Sequence, residues 1–317
     1  MTRLASLAGR LIHRWQQFWF EEIPPDTYAV LRILIGTVGL IGILGLVPVS
    51  TFWTPEGLIP VSGNGAWFRT LLLEHGLGTA FGWALFVWLL ASFSCMTVGV
   101  FSGWAVALSF FGSVLQGIWN DLPLSGVHDV LVAILFCLLW ADTRATLSVD
   151  AWLARRRKPS RADRGFSHAI WPLRLIQFQV ALIYLNTGLS KLFGPTWRDG
   201  SAIHYVLDLN TFQRFPYVLP PDVEWLATIA TYVTISWEIA FAFLLFHPVT
   251  RAAALVLGVL LHLGMLATLE LGLFGWVMIA SYVAFLSPST VSRLVSVVSP
   301  WHRRRYLHRS DREAVVA

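Results

Sequence analysis

A chain of 317 residues that is 56% hydrophobic and 13% charged, with a mean hydropathy of +0.63, falls outside the composition of water-soluble globular proteins. Its formal net charge of +5 is topological: the basic residues cluster in a few loops, so no nucleic-acid partner is implied. Cys95 and Cys137 each sit in an apolar stretch, which excludes a disulfide framework and a thiolate metal site.

Along the chain, residues 1–27 come first as an interfacial segment. Leu4, Leu7, Leu11, Trp15, Phe18 and Trp19 recur at helical spacing opposite Arg3, Arg10, Arg14 and Gln17, the pattern of a helix lying among lipid headgroups. No apolar core ends in a small-residue cleavage site there, so no cleavable signal peptide is expected. Eight apolar runs follow, at 28–47, 78–98, 102–119, 127–141, 170–192, 226–246, 251–268 and 271–286. Each approaches the length needed to cross a hydrocarbon core of about 30 Å, the fourth and eighth being the shortest. These runs predict an all-α polytopic membrane helical bundle of about eight transmembrane helices over residues 28–287. A basic tail, 288–317, completes the chain. The basic stretch 154–165 divides the helices four and four without making two domains.

Loop charge orients this bundle. With the N-terminus inside, 17 of the 23 Lys and Arg residues fall on cytoplasmic pieces, and only Arg69, Arg198 and Arg214 fall on external loops, as the positive-inside rule requires. Both termini are then cytoplasmic in a cell-membrane protein. Titratable groups concentrate towards the outer boundary: Lys191 ends the fifth helix, His128 begins the fourth, His262 lies two-thirds of the way along the seventh, and Glu270 follows it. External loops add Trp197, Asp199, His204 and Asp121.

Lys191 carries the most chemistry. Of 23 basic residues 21 are Arg, and Lys158 sits in a basic loop, leaving Lys191 the only lysine in or beside an apolar segment. An amine can lose its proton when desolvated, which guanidinium cannot. Helix-end lysines also snorkel to headgroups, and Trp197 suits an aromatic belt. His128 near a helix start is more often an interfacial residue than a base, whereas His262 within LVLGVLLHLGML needs an internal partner. Glu238 in ISWEIAFAFLL must be protonated or paired, and it and Arg32 in AVLRILIG read as structural. No nucleotide loop, thiol-redox motif, metal-ligand set or nucleophile elbow is present.

Several stretches in order carry a resemblance: AVLRILIG, GVHDVLVAILFCLLWADTRATLSVD, GLSKLFGPTW followed by RDG, WEIAFAFLLFHPVTR and LHLGMLATLELGLFGWVM. Together they resemble the vitamin K-dependent gamma-carboxylase-like family, whose bacterial members are the horizontally transferred transmembrane, or HTTM, domain proteins. The likeness runs from about Asp26 to Leu294.

The resemblance implies catalytic roles for Lys191, as the base towards a reduced quinone, and for His128 and His262. Trp197, His204 and Glu270 become candidate substrate-binding residues, with reduced menaquinone or a related quinol as cofactor and no metal. Vitamin K-dependent carboxylases continue into a large lumenal part, whereas this chain has 30 residues, 288–317, after its last apolar run. That departure favours short HTTM proteins resembling the SdpB group, associated with maturation or export of a secreted peptide. Two readings therefore stand: a quinol-linked membrane enzyme with an externally open site, and a non-catalytic maturation factor for a secreted peptide. Membrane lipid is a partner in either.

Overall fold

The computed structural model describes residues 2–55, 67–120, 126–157, 168–215, 220, 222 and 224–298. Asp121, Lys158 with the rest of the basic stretch to residue 165, and residues 299–317 lie outside the described residues. In chain order the elements begin with α1 (Thr2–Phe20), β1 (Glu22–Ile23) and α2 (Asp26–Gly45), then a 3-10 turn (Ser50–Trp53), α3 (Trp67–Glu74) and α4 (Gly78–Val98). They continue through α5 (Ser102–Trp119), α6 (Gly126–Leu138), α7 (Val149–Arg157), β2 (His168–Ala169) and α8 (Trp171–Lys191). The last are α9 (Pro195–Arg198), α10 (Ala202–Asp208), α11 (Glu224–Leu244), α12 (Pro248–Thr268), α13 (Phe274–Ser281), a 3-10 turn (Tyr282–Phe285) and α14 (Pro288–Val298).

The fold is all-α and membrane-embedded. All eight apolar runs form helix, and among the described residues four helices, α2, α4, α11 and α12, are both long and apolar enough to span. A fifth results if the bent stretch Phe274–Phe285 plus Pro288–Val298, folded back by 111°, counts as one span. Composition and length explain why the others rank lower. α5 carries Ser102, Ser109, Ser113 and Gln116, and α8 carries Arg174, Gln177, Asn186 and Lys191. α6 has 13 residues, about 20 Å of helix, short of a full hydrocarbon core.

Contacts divide the chain into two compact units, one of residues 1–175 with 286–317 and one of residues 176–285. In the first, α2, α4, α5 and α6 pack together and α14 lies along α2. Ser292 Oγ donates to Asp26 Oδ2 at 2.6 Å to fix that contact. The two-residue strands pair antiparallel, Glu22 with Ala169 and Ile23 with His168, and Tyr28 Oη donates to Ala169 O at 2.8 Å. The outer face of α1 leaves Leu11, Ile12, Trp15 and Phe20 exposed, in keeping with the interfacial reading.

A buried cation organises this unit. Arg32 on α2 is fully buried, and its guanidinium donates to Leu147 O at 2.5 Å and to Ser102 Oγ at 3.4 Å. Ser102 in turn donates through N and Oγ to Asp150 Oδ2, at 2.7 and 2.9 Å, while Phe101 N donates to Oδ1 at 3.0 Å. Asp150 so occupies the otherwise unsatisfied first N–H groups of α5. Gly99 ends α4 at φ +82, and a Cβ there would fall on the Arg32 guanidinium. Only glycine meets both conditions. The structural role read for Arg32 holds, with a carbonyl and a serine as direct partners and the acid reached through Ser102.

The second unit is built on α8 from Ile176 onward, α11, α12 and α13. Ile176, Val180 and Tyr184 recur every four residues on the buried stripe of α8, the period of a helix facing neighbours on one side. Gln177 Nε2 donates to Ala284 O at 2.6 Å, tying α8 to the 3-10 turn. The short helices α9 and α10 fold the chain back so that α10 packs on α11.

Candidate functional site

Lys191 does not snorkel away from the protein. Its ammonium donates to both oxygens of Glu238 on α11, at 2.9 and 2.7 Å, and the side chains are 20% and 15% exposed. Glu238, which an apolar helix requires to be protonated or paired, is paired, both its oxygens engaged by Lys191 of α8. The two residues are 47 positions apart, so no local pattern announces the pair.

The seam that allows the pair is made by Gly188, one turn before Lys191. A Cβ at Gly188 would come to 2.8 Å from Ile239 Cγ1 and 3.1 Å from Glu238 Cβ, so the missing side chain lets α8 and α11 approach. The third wall is Trp197, whose ring centroid is 5.0 Å from Lys191 Nζ, within cation–π range. The turn after the lysine holds that ring in place. Gly194 N donates to Lys191 O at 3.0 Å, and Pro195 starts α9. Tyr232 on α11 donates from Oη to Arg198 O at 3.0 Å. Asp199 accepts from Ser201 N at 2.9 Å and from Ser201 Oγ at 2.5 Å, and these two hydrogen bonds hold its exposed carboxyl below the usual carboxylate value.

A second polar cluster lies two turns earlier on α8. Tyr184 Oη meets His262 Nε2 of α12 at 2.6 Å and also makes a very short hydrogen bond to Tyr282 Oη. All three side chains are buried. Phe241 packs over Tyr184 at 4.3 Å and against Tyr282 at 5.6 Å, while Phe274 lies 5.7 Å from His262. Gly258, one turn before His262, makes room for the hydroxyl, since a Cβ there would stand 2.9 Å from Tyr282 Oη. His262 therefore has the internal partner that its apolar helix demands. Tyr184 and Tyr282 escaped the sequence reading because tyrosines in apolar helices look like aromatic core. The signal available was His262 itself, which in such a helix calls for a hydroxyl from another helix.

The remaining sequence candidates are placed elsewhere. Glu270, just past α12, pairs with Arg214 at 3.3 Å, both side chains at least one-third exposed. Its N donates to Phe212 O at 2.8 Å, so Glu270 fastens the loop that follows α10. His204 is half-buried on α10 beside Tyr205, with ring centroids 6.1 Å apart. His128 stands in the first turn of α6, in the first unit.

Chemically, the pair sets an amine and a carboxylate in direct hydrogen-bond contact at 2.7 Å, and in a membrane setting the two ionic groups compensate each other's desolvation.

The sequence profile of the HTTM domain family matches residues 20–289 of the chain. Among curated proteins, the sporulation-delaying protein SdpB of Bacillus subtilis (strain 168) is 29% identical over 140 residues, 43% of this chain and 43% of that relative. The match thus spans less than half the relative's length. No solved structure matches the chain.

Proposed function

Because this chain belongs to the HTTM domain family, whose profile takes in residues 20–289, we propose that it is a membrane enzyme acting by proton transfer at Lys191. Its lipid-soluble reactant is a quinol of the menaquinone kind, its site opens to the external face of the cell membrane, and the product is a modified secreted peptide. The observation that carries this reading is the Lys191–Glu238 pair walled by Trp197, partly open at the end of an apolar helix.

Lys191 Nζ is the base. To take a proton it must first release one, and Glu238 Oε2 at 2.7 Å is its acceptor. Proton movement from Nζ to Oε2 frees the amine lone pair without placing net charge in the apolar surroundings. Trp197 keeps water from one face of the amine, and the hydrogen bonds at Arg198 and Asp199 keep Trp197 in place. The aromatic surroundings of His262, with Tyr184, Phe274 and Tyr282 as ring neighbours and the imidazole as a polar atom, support a quinol as the reactant. When bound it would supply a hydroxyl proton to the free amine, and its two reducing electrons would pass to dioxygen as the oxidant.

The test is quinol turnover by the full chain in lipid nanodiscs with added reduced menaquinone, followed by lipid mass spectrometry. Lys191→Arg keeps the charge and the pairing to Glu238 but removes basicity. Conversion by the wild type and loss of conversion in a folded Lys191→Arg protein support the reading. Equal turnover by both overturns it.

A second reading is favoured by the completeness of the ion pair, which engages both carboxylate oxygens. In it Lys191 and Glu238 join helices of a non-catalytic maturation or export factor that holds a secreted peptide, as the resemblance to the SdpB group implies. Full peptide maturation by a Lys191→Ala, His262→Ala double variant decides for it.

A further inference from the structure

Next to the sealed Arg32 network, α7 and the start of α5 form a charged and aromatic surface that the chemistry at Lys191 does not use. Asp150, in the first turn of α7, accepts from the N–H groups of Phe101 and Ser102 at 3.0 and 2.7 Å, and Asp150 N donates to Gly99 O at 3.1 Å. Its carboxylate thereby fastens α7 to α5 and holds Phe101 at φ +48, a conformation that a bulky residue rarely adopts without support. Phe101 and Trp104 at that start are 71% and 75% exposed, and Trp152 and Leu153 on α7 are exposed as well.

Charge accompanies these apolar side chains. The Arg156 guanidinium lies over the Trp152 ring, 3.9 Å from its centroid, and among the described residues no carboxylate pairs with it. Arg144 is 65% exposed and is held by Asp142 only at 3.5 Å. Its Cδ stands 4.0 Å from where a Cβ on Gly103 would be, so its stem crosses the first turn of α5. A guanidinium over an indole face keeps N–H donors free at its edge for an oxyanion.

We propose that this corner of α5 and α7 is a binding site for an anionic phospholipid, with Arg144 and Arg156 on the headgroup and Phe101, Trp104 and Trp152 on the glycerol and acyl chains. Three features select that ligand. Two exposed guanidiniums call for an oxyanion, and the arginine fork matches the geometry of phosphate. The exposed aromatic side chains at the same corner call for an apolar body, which a soluble phosphate lacks. The basic loops gather on the cytoplasmic side of the bundle, the side on which anionic lipids give a leaflet its negative potential. A zwitterionic lipid has the same phosphate, but its own cation competes with the arginines. The site is independent of the reaction proposed at Lys191.

The experiment is native mass spectrometry of the full chain in mild detergent, titrated with equal amounts of phosphatidylglycerol and phosphatidylcholine of identical acyl chains, with thermal melting recorded for each variant. Two pairs of substitutions remove the same charge. Arg144→Gln with Arg156→Gln acts at the corner, and Arg10→Gln with Arg14→Gln acts at exposed positions of α1. Trp152→Leu keeps an apolar side chain and removes the ring beneath Arg156.

One basic residue at an anionic lipid surface is worth about fivefold in binding. The wild type should therefore prefer phosphatidylglycerol by about twentyfold, and the corner pair should bring that preference near parity at an unchanged melting temperature. The α1 pair should stay within about twofold of the wild type, and Trp152→Leu should lose about threefold. No preference in the wild type overturns the site, as does an unchanged preference in the corner pair or in Trp152→Leu. Equal loss in the two pairs also overturns it, because it means a diffusely charged face without a built position. Displacement of the lipid by glycerol phosphate, which has no acyl chains, overturns it too and assigns the corner to a free phosphate ester.

Discussion

Arg32 and Lys191 are both cations in apolar helices, and the protein treats them in opposite ways. Arg32 is sealed, its guanidinium capped by the Leu147 carbonyl and Ser102, with Gly99 lying flat against it. Lys191 is held by one carboxylate and one ring at a boundary that remains 20% exposed. A group that never loses its proton is used to hold three chain segments at once; a group that can lose one is paired with a single carboxylate at a partly open boundary. Charge in a membrane helix is thus either architecture or chemistry according to the partners that surround it.

The comparison breaks most severely if Arg32 proves dispensable. Arg32→Ala leaves the Leu147 carbonyl and the Ser102–Asp150 link without their donor, and opens a void under α4. A loss of about 3–5 kcal/mol is expected, seen as failure to accumulate or a sharply lowered melting temperature in detergent. Arg32→Lys should rescue little, because an ammonium cannot serve the carbonyl and the serine in the guanidinium's planar geometry. Gly99→Ala comes next. Forcing an L-residue to φ +82 costs about 1–2 kcal/mol, and its Cβ also displaces Arg32. The Gly99→Ala, Arg32→Ala double variant should therefore lose less than the sum of the two, which a double-mutant cycle in melting experiments measures.

On the other side of the comparison, stability and function should separate. Glu238→Leu strands the Lys191 ammonium and should cost about 2 kcal/mol, reduced from the fully buried case because the pair is partly solvated. Adding Lys191→Leu should restore most of that loss, since two leucines satisfy an apolar seam. Quinol turnover should be absent from both variants. If the double variant turns over quinol, the pair is architecture like Arg32.

Reading the sequence recovered what is periodic or local. Apolar runs announced the helices, two of them, 78–98 and 102–119, to the residue at both ends, because length and hydropathy are all that a hydrocarbon core demands. Lys191 and Trp197 were legible together because only five residues, a Gly-Pro turn among them, separate them. Glu238 and the two tyrosines were not, for a physical reason. Helices decide which distant residues meet through packing at positions such as Gly188 and Gly258, and glycine carries no side chain to advertise its partner. The count of spans met the same limit, since serines and glutamines buried inside a bundle lower hydropathy as much as residues facing water.

The smallest effect belongs to the turn that supports Trp197. Asp199 accepts two hydrogen bonds from Ser201, and they stabilise the ionised carboxyl, which places its proton affinity below the usual range. The sign follows: the turn is favoured at pH above the ordinary carboxylate value and loses that support only as pH falls through the lowered one. Protection of the Ser201 amide, taken relative to the intrinsic exchange rate at each pH, should be constant through neutral pH and fall in acid. Asp199→Asn keeps an acceptor oxygen without a titrating proton, so its protection should resemble the wild type at neutral pH and stay constant in acid. Asp199→Ala should exchange quickly throughout and lower turnover modestly, because Tyr232 still holds Arg198 and Trp197 is loosened without being released. Turnover falling as far in Asp199→Ala as in Lys191→Arg would mean that the ring, and with it the dry face of the amine, depends on this turn more than on α11.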